Sequence, residues 1–290
     1  MRVGENVGLL IRAVSSFYYV DTGDGILPCR ARGRLRLDGT DPLPGDRVFW
    51  QPDSDHEGYG ILLSILPRHN CFVRPAAANL DRIVFVASEA RPRTEPYLID
   101  SLSAVAVRAE CKFLLCLNKA DLDPADKLYT VYETAGIEVL RTSAETGSGL
   151  AELRDRLKGQ ISVFTGNSGV GKTSLLNRLL PGLESPTAAV SEKHGRGRHT
   201  TRHTELYRLP DGGWVADSPG FAALELKLLG DFSLDNLSDC FPEFPKKQCR
   251  FPDCRHNREP SCAVRDAVCS GAIAETRYRS YLRMLNEIKN

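Results

Sequence analysis

Short alternating runs of apolar and polar residues fill roughly the first 68 positions. VGLLIRAV and FYYVDTG are two β-rich runs broken at Ser15–Ser16. PCRARGRLRLDG places Arg30, Arg32, Arg34 and Arg36 at spacing two, so on a strand they share one face. PLPGDRVFWQP and GYGILLSILPR complete the set. About five strands in so short a segment predict a small antiparallel barrel. From about 69 to 230 the rhythm changes. RIVFVAS, CKFLLCLNK, IEVLRTS and QISVFTG read as strands. YLIDSLSAVAVRAE, PADKLYTVYETAG and GLAELRDRLKG, which lie between them, have helical spacing. Strands alternating with helices predict βαβ units on a mostly parallel sheet. From about 231 onward, Pro, Cys and charged residues crowd into 240–262. Tyr278, Tyr281, Leu282, Leu285 and Ile288 then recur at steps of three and four, which predicts a helix. The resulting division is 1–68, 69–230 and 231–290.

Composition alters this picture little. In 290 residues, 42% are hydrophobic and 26% charged, which excludes wholesale disorder and a fibrous protein. No apolar run is long enough to span a membrane, and the first twenty residues carry no secretory pattern. With 38 basic and 37 acidic residues the net charge is +1, so charge as a whole does not mark a nucleic-acid binder. Nine cysteines, an odd count, argue for a reducing cytoplasmic setting over a disulfide framework.

The chemistry is concentrated in a few motifs. Gly166-Asn167-Ser168-Gly169-Val170-Gly171-Lys172-Thr173, followed by Ser174, has the spacing of a phosphate loop. The predicted strand QISVFT precedes it and the predicted helix KTSLLNRLL follows. Its backbone N–H groups and the helix N-terminus suit phosphate. Lys172 is expected to reach the β- and γ-phosphates, and the Thr173 hydroxyl to ligate Mg²⁺. Asn118-Lys119-Ala120-Asp121 closes the strand CKFLLCL. The Asp121 carboxylate can accept from guanine N1–H and N2–H₂, which adenine does not offer. Asn118 can bind the base edge, and the Lys119 stem can cover the ring. Thr142-Ser143-Ala144 ends the next strand and can present backbone N–H to guanine O6. Asp217-Ser218-Pro219-Gly220 follows GWVAD. There Asp217 is expected to hold Mg²⁺ through water, and the Gly220 N–H to meet the γ-phosphate. The basic stretch SEKHGRGRHTTRHTEL (191–206) is the expected place for a segment that closes on Mg²⁺ through a Thr hydroxyl. Thr200 and Thr201 are both candidates.

These are GTPase signatures in an unusual order, with base-reading motifs before the phosphate loop. With a barrel before them and a Cys/His cluster after them, the chain resembles the RsgA (YjeQ) family over nearly its whole length. The motifs that carry the resemblance are NKAD, TSA, GNSGVGKTS, RGRHTT, DSPGF and the cluster. The family consists of circularly permuted GTPases that act in assembly of the small ribosomal subunit. The resemblance implies an OB-fold β-barrel, a circularly permuted P-loop GTPase domain and a zinc-binding helical domain. It also implies hydrolysis of GTP to GDP and phosphate, stimulated by the small subunit, with the subunit and its rRNA as partners. One departure concerns Ras-like GTPases, which carry a water-orienting Gln just after DxxG. Phe221 stands there, and a phenyl ring cannot orient water. Slow intrinsic turnover is therefore expected, with the missing group supplied by a docked partner. His199 is a candidate for placing the water.

Cys249, Cys254, His256 and Cys262 spell C-x4-C-x-H-x5-C. Three thiolates and one imidazole suit one closed, structural Zn²⁺ site, and the family resemblance implies the same donor set. Cys240 and Cys269 flank it as rival ligands. Across 246–265, six cations including Lys246, Lys247 and Arg250 face two anions, a local charge of +4. This patch, the Arg30–Arg36 ladder and the basic switch region 193–208 suit phosphate-backbone contact with RNA. Nothing in the sequence demands an oligomer, so a monomer is expected.

Overall fold

The structure, a computed structural model, describes residues 6–31, 41–73, 75–181, 204–217 and 232–289. The chain divides into two compact units. The first contains the described residues up to Asp81 together with Leu157–Val163 and 204–217; the second contains Arg82–Arg156, 164–181 and 232–289.

In the first unit, β1 (Asn6–Val14), β2 (Phe17–Asp21), β3 (Ile26–Ala31), β4 (Arg47–Pro52) and β5 (Gly60–Ile65) close into a barrel. The strand order is β1-β2-β3-β5-β4, with β3 and β5 parallel and the other pairs antiparallel. The expected five-stranded barrel is present, but it is not wholly antiparallel, because closing it pairs β3 with β5 in parallel; β1 breaks from β2 at Ser15–Ser16. Leu10, Val20, Cys29, Val48 and Leu62, one residue from each strand, form its buried centre. Alternation fails in β1, where Gly8 to Ile11 are all buried, because the pairing register shifts between Leu10 and Arg12. Asp46, fully buried, receives two hydrogen bonds from Arg68, at 2.7 and 2.8 Å, and one from the Leu43 N–H at 2.7 Å. That bidentate pair ties the turn before β4 to the chain leaving β5. A short hairpin, β6 (Cys71–Val73) and β7 (Ala76–Ala78), follows; the apolar pattern gave no sign of it.

The second unit carries parallel β8 (Arg82–Ala87), β9 (Lys112–Leu117) and β10 (Glu138–Arg141), with β11 (Ile161–Thr165) entering it at Phe164. The strand order here is β10-β9-β8-β11. All six residues of β8 are buried, as a strand covered on both faces requires. Helices α1 (Pro96–Arg108), α2 (Asp126–Thr134) and α3 (Leu150–Leu157) connect the strands, and α4 (Lys172–Leu179) follows β11. In the first unit β12 (Leu206–Arg208) pairs antiparallel with β13 (Trp214–Asp217), and β13 neighbours the start of β11. Among the described residues no helix is long and apolar enough to cross a membrane.

The expected final helix forms at Glu275–Lys289 and packs on α1. Tyr281 and Leu285 are buried, but so is Arg277, which apolar periodicity assigns to no core. Arg277 donates to Asp100 at 2.7 Å and to both oxygens of Glu243, at 2.8 and 3.2 Å. Its guanidinium also lies 4.7 Å from the centre of the Phe241 ring. The Tyr132 hydroxyl donates to the same Asp100 oxygen at 2.8 Å. Burial pushes the Asp100 carboxyl above its ordinary pKa, and the Arg277 charge opposes that rise. Removing Arg277 strands two buried carboxylates. Arg277→Leu is expected to cost about 3–5 kcal/mol in chemical denaturation. Arg279→Ala, which loses a single ion pair exposed on both sides, should cost under about 1 kcal/mol. Equal losses for the two variants would show that the buried pair is not a brace.

Candidate nucleotide site and metal cluster

The loops that leave β9, β10 and β11 converge on the side chain of Asn118. Its Nδ2 donates to the Val170 carbonyl at 2.8 Å. Its Oδ1 accepts the Ala144 N–H at 3.1 Å and the Thr142 hydroxyl at 3.3 Å. A carbonyl on one side and two donors on the other fix which end of the amide is nitrogen. Behind Thr142 lies Cys116, 3.1 Å away and fully buried. Burial pushes its thiol up to about 12, and because the single Thr142 proton goes to Asn118, the thiol is the donor to the hydroxyl. The result is a buried chain from Cys116 through Thr142 to Asn118 and on to the phosphate loop.

Glycine is required at two points of that loop. Gly166 has φ +137°, and a Cβ there would run into the Val86 carbonyl oxygen. Gly171 has φ +93°, and a Cβ there would strike Asn118 Nδ2. Asn118 can therefore approach the loop only because residue 171 has no side chain. The Lys172 ammonium donates to the Gly166 carbonyl at 3.0 Å, and so is held across the loop. Val170 is buried, Thr173 half-buried, and Ser168, Gly169 and Ser174 exposed. Lys119 has φ +64° and its Nζ donates to Arg91 O at 2.8 Å, which lays its stem along the turn. Asp121 is exposed.

In the loop after β10, two of the expected backbone donors have partners within the protein. The Ser143 N–H donates to Ser148 O at 3.0 Å, and the Ala144 N–H is shared with Asn118. The Glu145 N–H has no protein acceptor among the described residues. It is the next donor along the loop, and the short TSA pattern did not point to it.

Several expected site residues cannot be placed. β13 ends at Asp217, whose side chain is outside the described residues. His199, Thr200, Thr201, Gly220 and Phe221 are also outside them, as are Arg32, Arg34 and Arg36 of the ladder. Arg30 is on β3 and exposed, with its guanidinium 5.1 Å from the Phe17 ring centre.

The second cluster lies after the Lys246–Gln248 turn. The ligand atoms of Cys249, Cys254, His256 and Cys262 all fall within 4.8 Å of one another. His256 Nδ1 is 3.5 Å from the sulfurs of both Cys249 and Cys262, which are themselves 4.0 Å apart. Bonds of about 2.3 Å to sulfur and about 2.0 Å to nitrogen at tetrahedral angles give about 3.5 Å for N···S and about 3.8 Å for S···S. Four donors at this spacing can hold one metal ion. Burial lowers the His256 pKa, which keeps the imidazole in its neutral, ligating form. Burial also pushes the Cys254 thiol up to about 12, with the adjacent thiols adding to the rise, so a thiolate set needs a cation. Cys240 is buried with its thiol directed to the Asn236 carbonyl, and Cys269 is exposed; neither is in the cluster. Tyr278 and Tyr281 donate to the carbonyls of His256 and Arg255, both at 2.7 Å. The Glu259 carboxylate accepts the N–H groups of Arg255, Asn257 and Arg258. The nearby basic patch is smaller than its local count. Asp239 and Asp235, outside the counted window, pair with Lys246 and Arg255, whereas Lys247 and Arg250 stay exposed.

The RsgA GTPase family model matches residues 65–227, and the RsgA N-terminal domain model matches 7–59. The chain belongs to the RsgA GTPase family. It is therefore a GTP hydrolase with a circularly permuted order of motifs. A relative from Caldanaerobacter subterraneus, a small ribosomal subunit biogenesis GTPase, is 43% identical over 97% of this chain and 95% of its own. One of the same description from Thermotoga maritima is 42% identical over 92% and 90%. The crystal structure of YjeQ from Thermotoga maritima superposes with a TM-score of 0.83, 36% identity and 99% coverage of both chains. That of YloQ, a circularly permuted GTPase, gives 0.81 and 33%, covering 99% of this chain and 96% of its own.

The four-donor cluster leads to a direct test. Full-length protein purified without chelator should carry one metal ion per chain by elemental analysis, and Cys262→Ser should lose it. Metal-free wild type that melts at the same temperature as the loaded protein would contradict a bracing ion.

Proposed function

We propose that this GTPase binds the small (30S) ribosomal subunit and its rRNA and assists late assembly, with hydrolysis of GTP to GDP and phosphate stimulated by the subunit. The observation that carries the reading is the joining of base-reading and phosphate loops at Asn118. It occurs in a chain 43% identical to a small ribosomal subunit biogenesis GTPase. In this reading the division 1–68, 69–230 and 231–290 separates an RNA-binding barrel, the GTPase and a metal-braced tail. The protein works as a cytoplasmic monomer.

The roles follow from side-chain chemistry. The loop amides of 166–171 and Lys172 bind the phosphates. Asp121 accepts from guanine N1–H and N2–H₂, and Asn118 faces the base edge while it holds the loops together. The Lys119 stem covers the ring. The loop 143–145 donates to O6, with Glu145 N–H the donor not used within the protein. Thr173, and Asp217 through water, hold the Mg²⁺ that accompanies GTP; when bound, that ion neutralises developing phosphate charge. Gly220 and one of Thr200 and Thr201 sense the γ-phosphate, and His199 orients water. The Cys₃His cluster holds Zn²⁺, since three sulfurs and one nitrogen at tetrahedral spacing suit that ion better than oxygen-seeking cations. Arg30, Lys247 and Arg250 are exposed cations available to rRNA phosphates. Lys246 contributes less, because Asp239 lies 2.9 Å from its ammonium.

The test is GTP turnover by the protein alone, then with small subunits, large subunits or free rRNA at one salt concentration. Stimulation of at least about tenfold, worth about 1.4 kcal/mol of barrier, is expected with small subunits only. No rise with any of them would remove the ribosome from the function.

A further inference from the structure

The geometry points to Arg178 as a positioning residue for guanine recognition: from the last turn of α4 it orients the peptide units of the base-reading loop. Its Nε donates to the Ala144 carbonyl at 3.0 Å and its Nη2 to the Glu145 carbonyl at 2.7 Å. The helix end is held in turn, because Arg154 donates to the Arg178 carbonyl at 2.8 Å. Arg178 is exposed on a helix and belongs to no recognised nucleotide motif.

The two bonds have a directional consequence. In a trans peptide the C=O of one residue and the N–H of the next point in opposite directions. The carbonyl of Ala144 and the N–H of Glu145 belong to one peptide unit. By holding that carbonyl, Arg178 turns the Glu145 N–H the other way, and this donor has no protein acceptor among the described residues. The second bond fixes the next unit, whose Thr146 N–H donates to the Ser143 hydroxyl at 3.1 Å. On its other side the loop is held by Ala144 N–H to Asn118 Oδ1 at 3.1 Å. The loop thus hangs between Asn118 and Arg178. A planar guanidinium can bridge two carbonyls in a fixed fork, and an ammonium cannot. Because α4 begins in the phosphate loop at Lys172, one helix binds phosphate at its start and sets base recognition at its end.

This inference rests on the assignment of loop 143–145 to O6 above. The test uses the full chain and measures displacement of a fluorescent GDP by GDP, 6-thioguanosine diphosphate and inosine diphosphate. The thio analogue chiefly weakens the acceptor at position 6; inosine lacks only the N2 amine read by Asp121. Wild type should prefer GDP over both. Arg178→Gln should reduce the preference over the thio analogue by roughly fivefold, the scale of one hydrogen bond, and leave the preference over inosine diphosphate unchanged. Arg178→Lys should restore only part of it. Equal loss of both preferences, or loss of neither, would overturn the role of Arg178. A wild type indifferent to the thio analogue would overturn the O6 assignment itself.

Discussion

One buried amide organises the nucleotide site. Asn118 joins the loops after three strands through a single side chain that is hydrogen-bonded at both ends. Parallel strands bring their carboxyl ends to one edge, so the loops that follow β9, β10 and β11 emerge together. Proximity alone leaves such loops free to move independently. The Asn118 knot makes them one object, and chain order then becomes irrelevant. A circular permutation that puts the base-reading motif before the phosphate loop keeps every one of these contacts, because none depends on sequence separation.

The tail is held by a different kind of interaction. Arg277 crosses from the last helix to Asp100 on α1 and Glu243 in the Cys-rich segment, while Tyr278 and Tyr281 on the same helix hold the turn that carries His256. The metal cluster and the buried ion pair therefore share one helix as support. A metal ion held by these four donors would have no position left for substrate, which suits a bracing role and not a catalytic one.

Much of this was legible in the residues themselves. The break at Ser15–Ser16, the alternation from RIVFVAS to QISVFTG and the tail helix follow directly from hydrophobic period. Residue type marks the Cys/His cluster, while its rivals Cys240 and Cys269 drop out only in three dimensions. What periodicity missed has definite physical reasons. Arg277 looks like part of a solvated face because its partners lie 34 and 177 positions away in the chain. Arg178 bonds only to backbone carbonyls, which no side-chain motif encodes. The charge of the tail patch was overcounted because Asp235 and Asp239 fold back on it from outside the window. The TSA pattern marks the loop that Asn118 holds but not its unengaged donor, since Asn118 already takes the Ala144 N–H.

Amide hydrogen exchange of the full chain, wild type against Asn118→Ala, tests the knot most directly. The substitution leaves the Val170 carbonyl and the Ala144 N–H without their shared partner. Faster exchange is predicted together in 142–146 and 166–171, with the barrel strands unchanged. Loosening confined to 142–146, with the phosphate loop as protected as before, would contradict the claim that Asn118 binds the loops into one site.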